Sequence, residues 1–129
     1  MKVLLVDDTP EIAELLTFAL RDRGFDVVAT GYTSDVDALA ISERADALVL
    51  DCTIYQMSEA LFDVVRARRE LADLPIVIVS DTPDLADASL RKRRAAHVLL
   101  IPKPFTASHI ARALEELASA PAAEGEASS

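Results

Sequence analysis

Short apolar runs alternate with longer mixed segments along the chain. Each run is nearly continuous in Val, Ile, Leu or Ala, whereas a strand with one solvent-exposed face alternates apolar and polar residues. The pattern therefore predicts strands that are covered by helices on both faces. The five predicted strands are residues 3–6, 25–29, 47–50, 76–79 and 98–101.

The segments between these runs carry signals for the starts of helices. Thr9-Pro10 and Thr82-Pro83 each place a capping hydroxyl before a proline, which is favoured at the first helical position. Thr106 can cap a final helix in the same way. Five strand-then-helix units in succession predict an α/β fold, with an open, doubly wound parallel sheet and helices on both faces.

Composition narrows the setting of this fold. At 129 residues with 51% hydrophobic side chains, the chain can form one domain with a real core, which we predict over residues 1–118. The small, polar residues 119–129 predict a disordered tail. A net charge of −9 argues against nucleic acid or an anionic membrane as a partner. With a single cysteine and no secretion signal or membrane span, we expect a cytoplasmic protein.

Side chains with complementary chemistry follow four of the five predicted strands. Asp7 and Asp8 follow the first, Asp51 the third, Ser80 the fourth and Lys103 the fifth. Because ligands bind at the carboxyl ends of parallel strands, we expect these groups to converge on one edge. Three carboxylates there repel one another by roughly 1 to 4 kcal/mol per pair, so the cluster calls for a cation. A hydroxyl and an ammonium beside that cation suit a phosphoryl group, and the set predicts a magnesium-dependent site where a carboxylate meets phosphate.

Each of these residues also has a purely structural explanation. Asp7 and Asp8 precede a helix, whose positive end favours acidic side chains. Asp51 can simply end a strand, Ser80 can begin a turn, and Lys103 can be a solvated lysine held between prolines. The shared edge and the matched chemistry favour a site over coincidence.

The ordered set of motifs resembles the receiver domain of two-component response regulators. The matching segments are Val6-Asp7-Asp8, Asp51 after an apolar strand, Ser80 after an apolar strand, and Lys103-Pro104-Phe105. The resemblance covers residues 1 to about 118 and implies a flavodoxin-like strand order, 2-1-3-4-5.

The resemblance also implies roles for the strand-end residues. Asp51 would be the phosphoacceptor, whose carboxylate attacks the phosphorus of a phosphohistidine on a sensor histidine kinase or a histidine phosphotransfer protein. Ser80 and Lys103 would each bind a phosphoryl oxygen, and the Lys103-Pro104 peptide bond is expected to be cis. The protein would catalyse its own phosphoryl transfer and hydrolysis, and would not be an enzyme acting on a separate substrate.

The same resemblance implies a Mg²⁺ site built from oxygen ligands. Asp7, Asp8, Asp51 and the backbone carbonyl of Thr53 would supply the protein oxygens, and water would fill the other positions. Output would run through a downstream protein bound to the fourth helix, fifth strand and fifth helix of a stand-alone receiver, a monomer or weak dimer.

Four residues depart from the pattern of the family that the chain resembles. Tyr55 and Glu59 stand where the family usually has a proline and a glycine, in and after the loop that follows the acceptor. Asp81 stands where a very small residue is preferred, and Leu100 stands where an aromatic switch residue is usual. A carboxylate at position 81 could repel incoming phosphate or alter the access of water, or it could simply point outward.

These departures leave one alternative function open. A pseudo-receiver would keep the fold and signal through protein contacts without phosphorylation. A flavin or dinucleotide carrier is disfavoured, because the turn Asp7-Asp8-Thr9-Pro10 repels phosphate unless a metal intervenes. A phosphatase of the haloacid dehalogenase type needs a second aspartate where this chain has Thr53.

Overall fold

Five parallel strands form one sheet in the order β2-β1-β3-β4-β5, so the predicted fold class and strand order are both confirmed. The computed structural model describes residues 1–119. Its elements in chain order are β1 (Lys2–Asp7), α1 (Pro10–Asp22), β2 (Asp26–Thr30), α2 (Val36–Ser42), β3 (Ala47–Asp51), α3 (Tyr55–Arg66), a short 3-10 helix (Arg69–Leu71), β4 (Ile76–Ser80), α4 (Pro83–Lys92), β5 (Val98–Pro102) and α5 (Ala107–Ser119).

The burial of each strand follows its place in the sheet. All residues of the inner strands β3 and β4 are buried, whereas the edge strands β2 and β5 are only partly covered. Alternate side chains of β1 enter two separate hydrophobic clusters, one on each face of the sheet. Val3 and Leu5 pack in the cluster with α1 and α5, while Leu4 and Val6 pack in the cluster with α2 and α3. This two-sided burial explains why the strand sequences are continuously apolar.

The helices begin where the sequence predicts, but two of the three predicted caps are wrong. α1 and α4 start at a proline directly after Thr9 and Thr82, yet neither threonine hydroxyl makes a capping hydrogen bond. The backbone N–H of each threonine instead donates to a side chain two residues earlier, to Asp7 at 2.9 Å and to Ser80 at 3.0 Å. The Thr106 hydroxyl does cap α5, because it accepts the N–H three residues later at 3.2 Å.

The carboxyl-terminal helix ends at Ser119, the residue at which the predicted tail begins. The rest of that predicted tail, residues 120–129, lies outside the described part of the chain. Among residues 1–119, no helix combines the length and the apolar character that crossing a bilayer requires.

The strand register brings the polar strand ends to one edge. Asp7 of β1 pairs with Asp51 of β3, and Ser80 of β4 pairs with Pro102 of β5, directly before Lys103. Because all five strands are parallel, their carboxyl ends meet at this edge and the loops that follow them form its surface.

Candidate functional site

Asp51 is the central side chain of the strand-end edge. It is the last residue of β3, between β1 and β4, and its side chain is buried. The ammonium Nζ of Lys103 lies 3.1 Å from its Oδ1. The backbone N–H of Lys103 donates to the carbonyl of Ser80 at 2.9 Å, and the Lys103-Pro104 peptide bond is cis, as the resemblance implies. The structure therefore joins the third and fifth strand ends through one partly buried ion pair.

The ammonium of Lys103 stays protonated in this position. Burial by itself lowers the pKa of Lys103, but the close contact with Asp51 and its charge, with smaller contributions from Asp81 and Asp7, raise it above its ordinary value. A lysine with a raised pKa keeps its positive charge throughout the neutral range. The site thus holds a permanent cation next to the Asp51 carboxylate.

Asp7 is the second buried carboxylate of the site. Its Oδ1 accepts the backbone N–H of Thr9 at 2.9 Å, while its Oδ2 is buried and has no hydrogen-bond partner among the described residues. Burial, together with the neighbouring Asp51, raises the pKa of Asp7 to about 7. Oδ1 of Asp51 likewise has no directed hydrogen bond, although the Lys103 ammonium is close. Oδ2 of Asp7 therefore keeps unused acceptor capacity, while Oδ1 of Asp51 is engaged, among the described residues, by the Lys103 ammonium alone.

Asp8 is engaged by the loop that follows β3. The backbone N–H of Thr53 donates to both oxygens of Asp8, at 3.1 and 3.0 Å, and the Thr53 hydroxyl donates to Oδ1 at 2.9 Å. Within residues 1–119, no three acidic, histidine or cysteine side chains are arranged to hold a metal ion. Asp8 thus gains three hydrogen bonds from the loop, and a cation site shared by Asp7, Asp8 and Asp51 stays a prediction.

Ser80 lies on the edge, with its hydroxyl engaged in the turn that follows β4. It is buried, its Oγ accepts the backbone N–H of Thr82 at 3.0 Å, and it lies 3.3 Å from the Thr82 hydroxyl. The structural role that the sequence left open for Ser80, the start of a turn, is therefore present. The same position also keeps the hydroxyl at the strand end beside Lys103.

The departures at positions 55 and 59 contact each other and a neighbouring helix. The Tyr55 hydroxyl and the Ser89 hydroxyl each donate to Oε2 of Glu59 at 2.7 Å. Arg93 donates to both oxygens of Asp63, at 2.7 and 2.9 Å, and its guanidinium lies 3.3 Å from Glu59. We name these five residues the α3–α4 clasp. The clasp was not predicted from the sequence, although the i, i+4 spacings 55–59, 59–63 and 89–93 place the members of each helix on one face.

The clasp keeps Glu59 ionised. The hydrogen bonds from Ser89 and Tyr55, and then the charge of Arg93, lower the pKa of Glu59 below its usual range. An open groove of about 690 Å³ lies beside the clasp between α3 and α4, lined in part by Tyr55 and Arg93. The two residues that replace the family's proline and glycine are therefore structurally linked to α4.

The departures at positions 81 and 100 lie directly after β4 and within β5, respectively. Asp81 is exposed, and its Oδ2 is 3.7 Å from the Lys103 ammonium. Leu100 is half-buried on β5 and packs against the hydrophobic cluster beneath α2 and α3. An apolar side chain at position 100 offers no hydroxyl or ring edge to Ser80.

The family of this chain follows from its match to a known protein domain. The model of the response regulator receiver domain matches residues 3–115. The chain belongs to the receiver domain family of response regulators. This receiver is 34% identical over 104 residues to the DNA-binding response regulator MtrA of Mycolicibacterium smegmatis, which covers 81% of this chain and 44% of that protein. It is 31% identical over 116 residues to the probable transcriptional regulatory protein TcrX of Mycobacterium tuberculosis, covering 89% and 48%. The receiver thus spans less than half the length of these curated relatives.

Solved structures support the receiver fold. The receiver domain of the sensor histidine kinase PA1611 from Pseudomonas aeruginosa has a TM-score of 0.71 at 22% identity, covering 92% of this chain and 98% of that one. That structure has a magnesium ion coordinated in its active site cleft. A sensor protein from Polaromonas has a TM-score of 0.74 at 23% identity, covering 90% and 94%. At these identities the likeness establishes the shared fold.

Proposed function

We propose that this receiver is the phosphoacceptor of a two-component or phosphorelay system and is phosphorylated on Asp51. The observation that carries the proposal is the buried Asp51 carboxylate with the Lys103 ammonium 3.1 Å from it. A buried carboxylate is a nucleophile without a full water shell, and a fixed cation beside it can neutralise charge on a transferring phosphoryl group. Membership of the receiver family supports this chemistry.

The proposed transfer takes the phosphoryl group from a phosphohistidine on a sensor histidine kinase or a histidine phosphotransfer protein. An oxygen of Asp51 forms the new O–P bond while the P–N bond breaks, and the leaving imidazole keeps the electron pair and takes up a proton from water. Lys103 pairs with one phosphoryl oxygen, and the Ser80 hydroxyl donates to another. The receiver thereby catalyses its own phosphorylation and the later hydrolysis of the acyl phosphate.

The residues present fit a Mg²⁺ ion in part as they stand. Oδ2 of Asp7 and Oδ1 of Asp51 are buried oxygens without directed hydrogen bonds, which is the kind of ligand magnesium takes. Asp8 and the carbonyl of Thr53 would complete the protein ligands once the Asp8 carboxylate leaves its hydrogen bonds to Thr53. When bound, the ion would neutralise carboxylate and phosphoryl charge.

The proposal also covers the location, the oligomeric state and the output surface of the receiver. The receiver works in the cytoplasm as a monomer or weak dimer, and its output is a protein contact on the surface formed by α4, β5 and α5. The domain itself does not bind nucleic acid or membrane, because a net charge of −9 repels both. With Leu100 at the usual aromatic position, the output surface does not depend on a hydroxyl-aromatic pair.

The test is incubation with acetyl phosphate or phosphoramidate, with and without Mg²⁺, followed by intact mass. We expect wild type to gain the mass of one phosphoryl group only with Mg²⁺, and Asp51→Asn to gain none. Asp22→Asn is the matched control, since Asp22 is exposed at the end of α1 remote from the site. No gain with either donor would instead support the pseudo-receiver, which the engagement of Asp8 by Thr53 favours.

A further inference from the structure

One cation is shared between two carboxylates at the mouth of the site. The Lys103 ammonium lies 3.1 Å from Oδ1 of Asp51 and 3.7 Å from Oδ2 of Asp81. The Asp51 side chain is 3% exposed, whereas the Asp81 side chain is 57% exposed. Asp81 therefore places an exposed carboxylate beside the same ammonium that faces Asp51.

Lys103 has no substitute at this position. Among the described residues, neither Asp51 nor Asp81 has any other lysine, arginine or histidine within ion-pair distance. The Asp7 carboxyl group also acts on the ammonium and brings no positive charge to the site. A phosphoryl group that enters the site therefore competes with Asp81 for the same cation.

We infer that Asp81 is a specificity-determining residue, which disfavours small, highly anionic phosphoryl donors by occupying Lys103 and repelling their charge. The inference rests on the proposed phosphorylation of Asp51. An exposed pair at this distance is weak and screened by salt, and the repulsion acts across a solvated mouth, so the combined effect is about 3- to 10-fold in rate.

In the test reaction, the donor supplies both the phosphoryl group and the leaving group. An oxygen of Asp51 forms an O–P bond, and the bond from phosphorus to the leaving group breaks. Acetyl phosphate releases acetate, while phosphoramidate releases ammonia after nitrogen is protonated. Acetyl phosphate carries the greater negative charge at neutral pH, so it is the donor that Asp81 should disfavour more.

The experiment compares phosphorylation rates of wild type and Asp81→Asn with the two donors, by intact mass in the presence of Mg²⁺. We expect Asp81→Asn to react about 3- to 10-fold faster than wild type with acetyl phosphate. The increase in rate should be smaller with phosphoramidate. The gain should shrink in high salt, because screening weakens both the ion pair and the repulsion. A merely structural role for Asp81 would change both rates equally and would not depend on salt.

Two further variants control for charge and shape. Asp81→Glu keeps a carboxylate and should stay near the wild-type ratio of the two rates. Asp22→Asn makes the same change in net charge at a remote, exposed position and should leave both rates unchanged. Equal rates for wild type and Asp81→Asn, or an equal gain with both donors, would overturn the inference while leaving the proposed function in place. A folded protein in which no variant gains mass would overturn the proposed function and the inference together.

Discussion

The strand-end site and the α3–α4 clasp are joined by the short loop between Asp51 and Tyr55, yet their carboxylates differ in how fully they are hydrogen-bonded. In the clasp, Glu59 accepts two hydrogen bonds and faces Arg93, which also holds both oxygens of Asp63. In the site, two buried carboxylate oxygens have no directed hydrogen bond. Satisfied polar groups stabilise a contact, whereas unsatisfied ones keep the capacity to bind an arriving ion or phosphoryl group.

The largest expected effect comes from removing Lys103, the one cation that residues 1–119 pair with Asp51. Lys103→Ala should slow phosphorylation of Asp51 by about 100-fold or more, because a preorganised charge opposite the transferring group is lost. Rates measured by intact mass with acetyl phosphate and Mg²⁺ give the comparison. Lys103→Arg is the matched variant, and it should recover part of the rate because it keeps the charge but not the compact ammonium. A wild-type rate in Lys103→Ala would contradict the mechanism.

Removing the unsatisfied carboxylate should stabilise the fold. Without divalent cations, Asp7→Asn is expected to raise the free energy of unfolding by about 1 to 3 kcal/mol, because it replaces a buried acid that has one unpartnered oxygen and faces Asp51. Urea unfolding in the presence of a chelator measures the change, with Asp22→Asn as the control. Mg²⁺ should stabilise wild type more than Asp7→Asn. A less stable Asp7→Asn protein would show that the carboxylate already has a favourable partner.

The stability difference between wild type and Asp7→Asn should depend on pH. The pKa of Asp7 is raised from 3.8 to about 7 in the folded protein, so the folded state holds this proton more tightly than the unfolded chain does. Its contribution to stability is fully present below pH 3.8 and is lost as pH rises through about 7. The stability advantage of Asp7→Asn over wild type should therefore grow between about pH 4 and pH 7 without divalent cations. Unfolding midpoints of both proteins across this range test the sign.

Removing a partner from the clasp should destabilise the fold, whereas Asp7→Asn in the site should stabilise it. Arg93→Ala is expected to lower the free energy of unfolding by about 1 kcal/mol, because a two-pronged pair with Asp63 and a contact with Glu59 are lost at a partly exposed position. Arg91→Ala is the matched control on the same helix, since Arg91 makes one exposed pair with Asp87. Arg91→Ala should change stability by less than about 0.5 kcal/mol. Equal losses in both variants would mean that the clasp adds nothing beyond surface charge.

The smallest effect is expected at the tyrosine of the clasp. Tyr55→Phe removes one hydroxyl that donates to Glu59 and keeps the ring, so the expected loss is about 0.5 to 1 kcal/mol. Urea unfolding measures it against wild type. When Tyr55→Phe is made in the Glu59→Gln variant, it should cost less stability than it does in wild type, because the acceptor of the tyrosine hydroxyl is already altered. Additive losses would show that Tyr55 and Glu59 act independently.

The sequence determined the sheet, its edge and the residues brought to that edge. Continuous apolar runs specify buried parallel strands, and parallel strands place Asp7, Asp51, Ser80 and Lys103 at a common end whatever the details of the loops. The proline after each threonine also located the starts of α1 and α4. These features follow from local patterns and from the geometry of parallel strands.

Only the tertiary structure decided where the polar side chains point and which of them meet. Asp8 accepts three hydrogen bonds from Thr53, and no local pattern encodes a contact between residues that are 45 positions apart. Glu59 meets Ser89, and Asp81 meets Lys103, because packing of α3 on α4 and of β4 beside β5 brings distant positions together. Such contacts depend on helix packing and side-chain rotamers, which the hydrophobic period of a sequence leaves open.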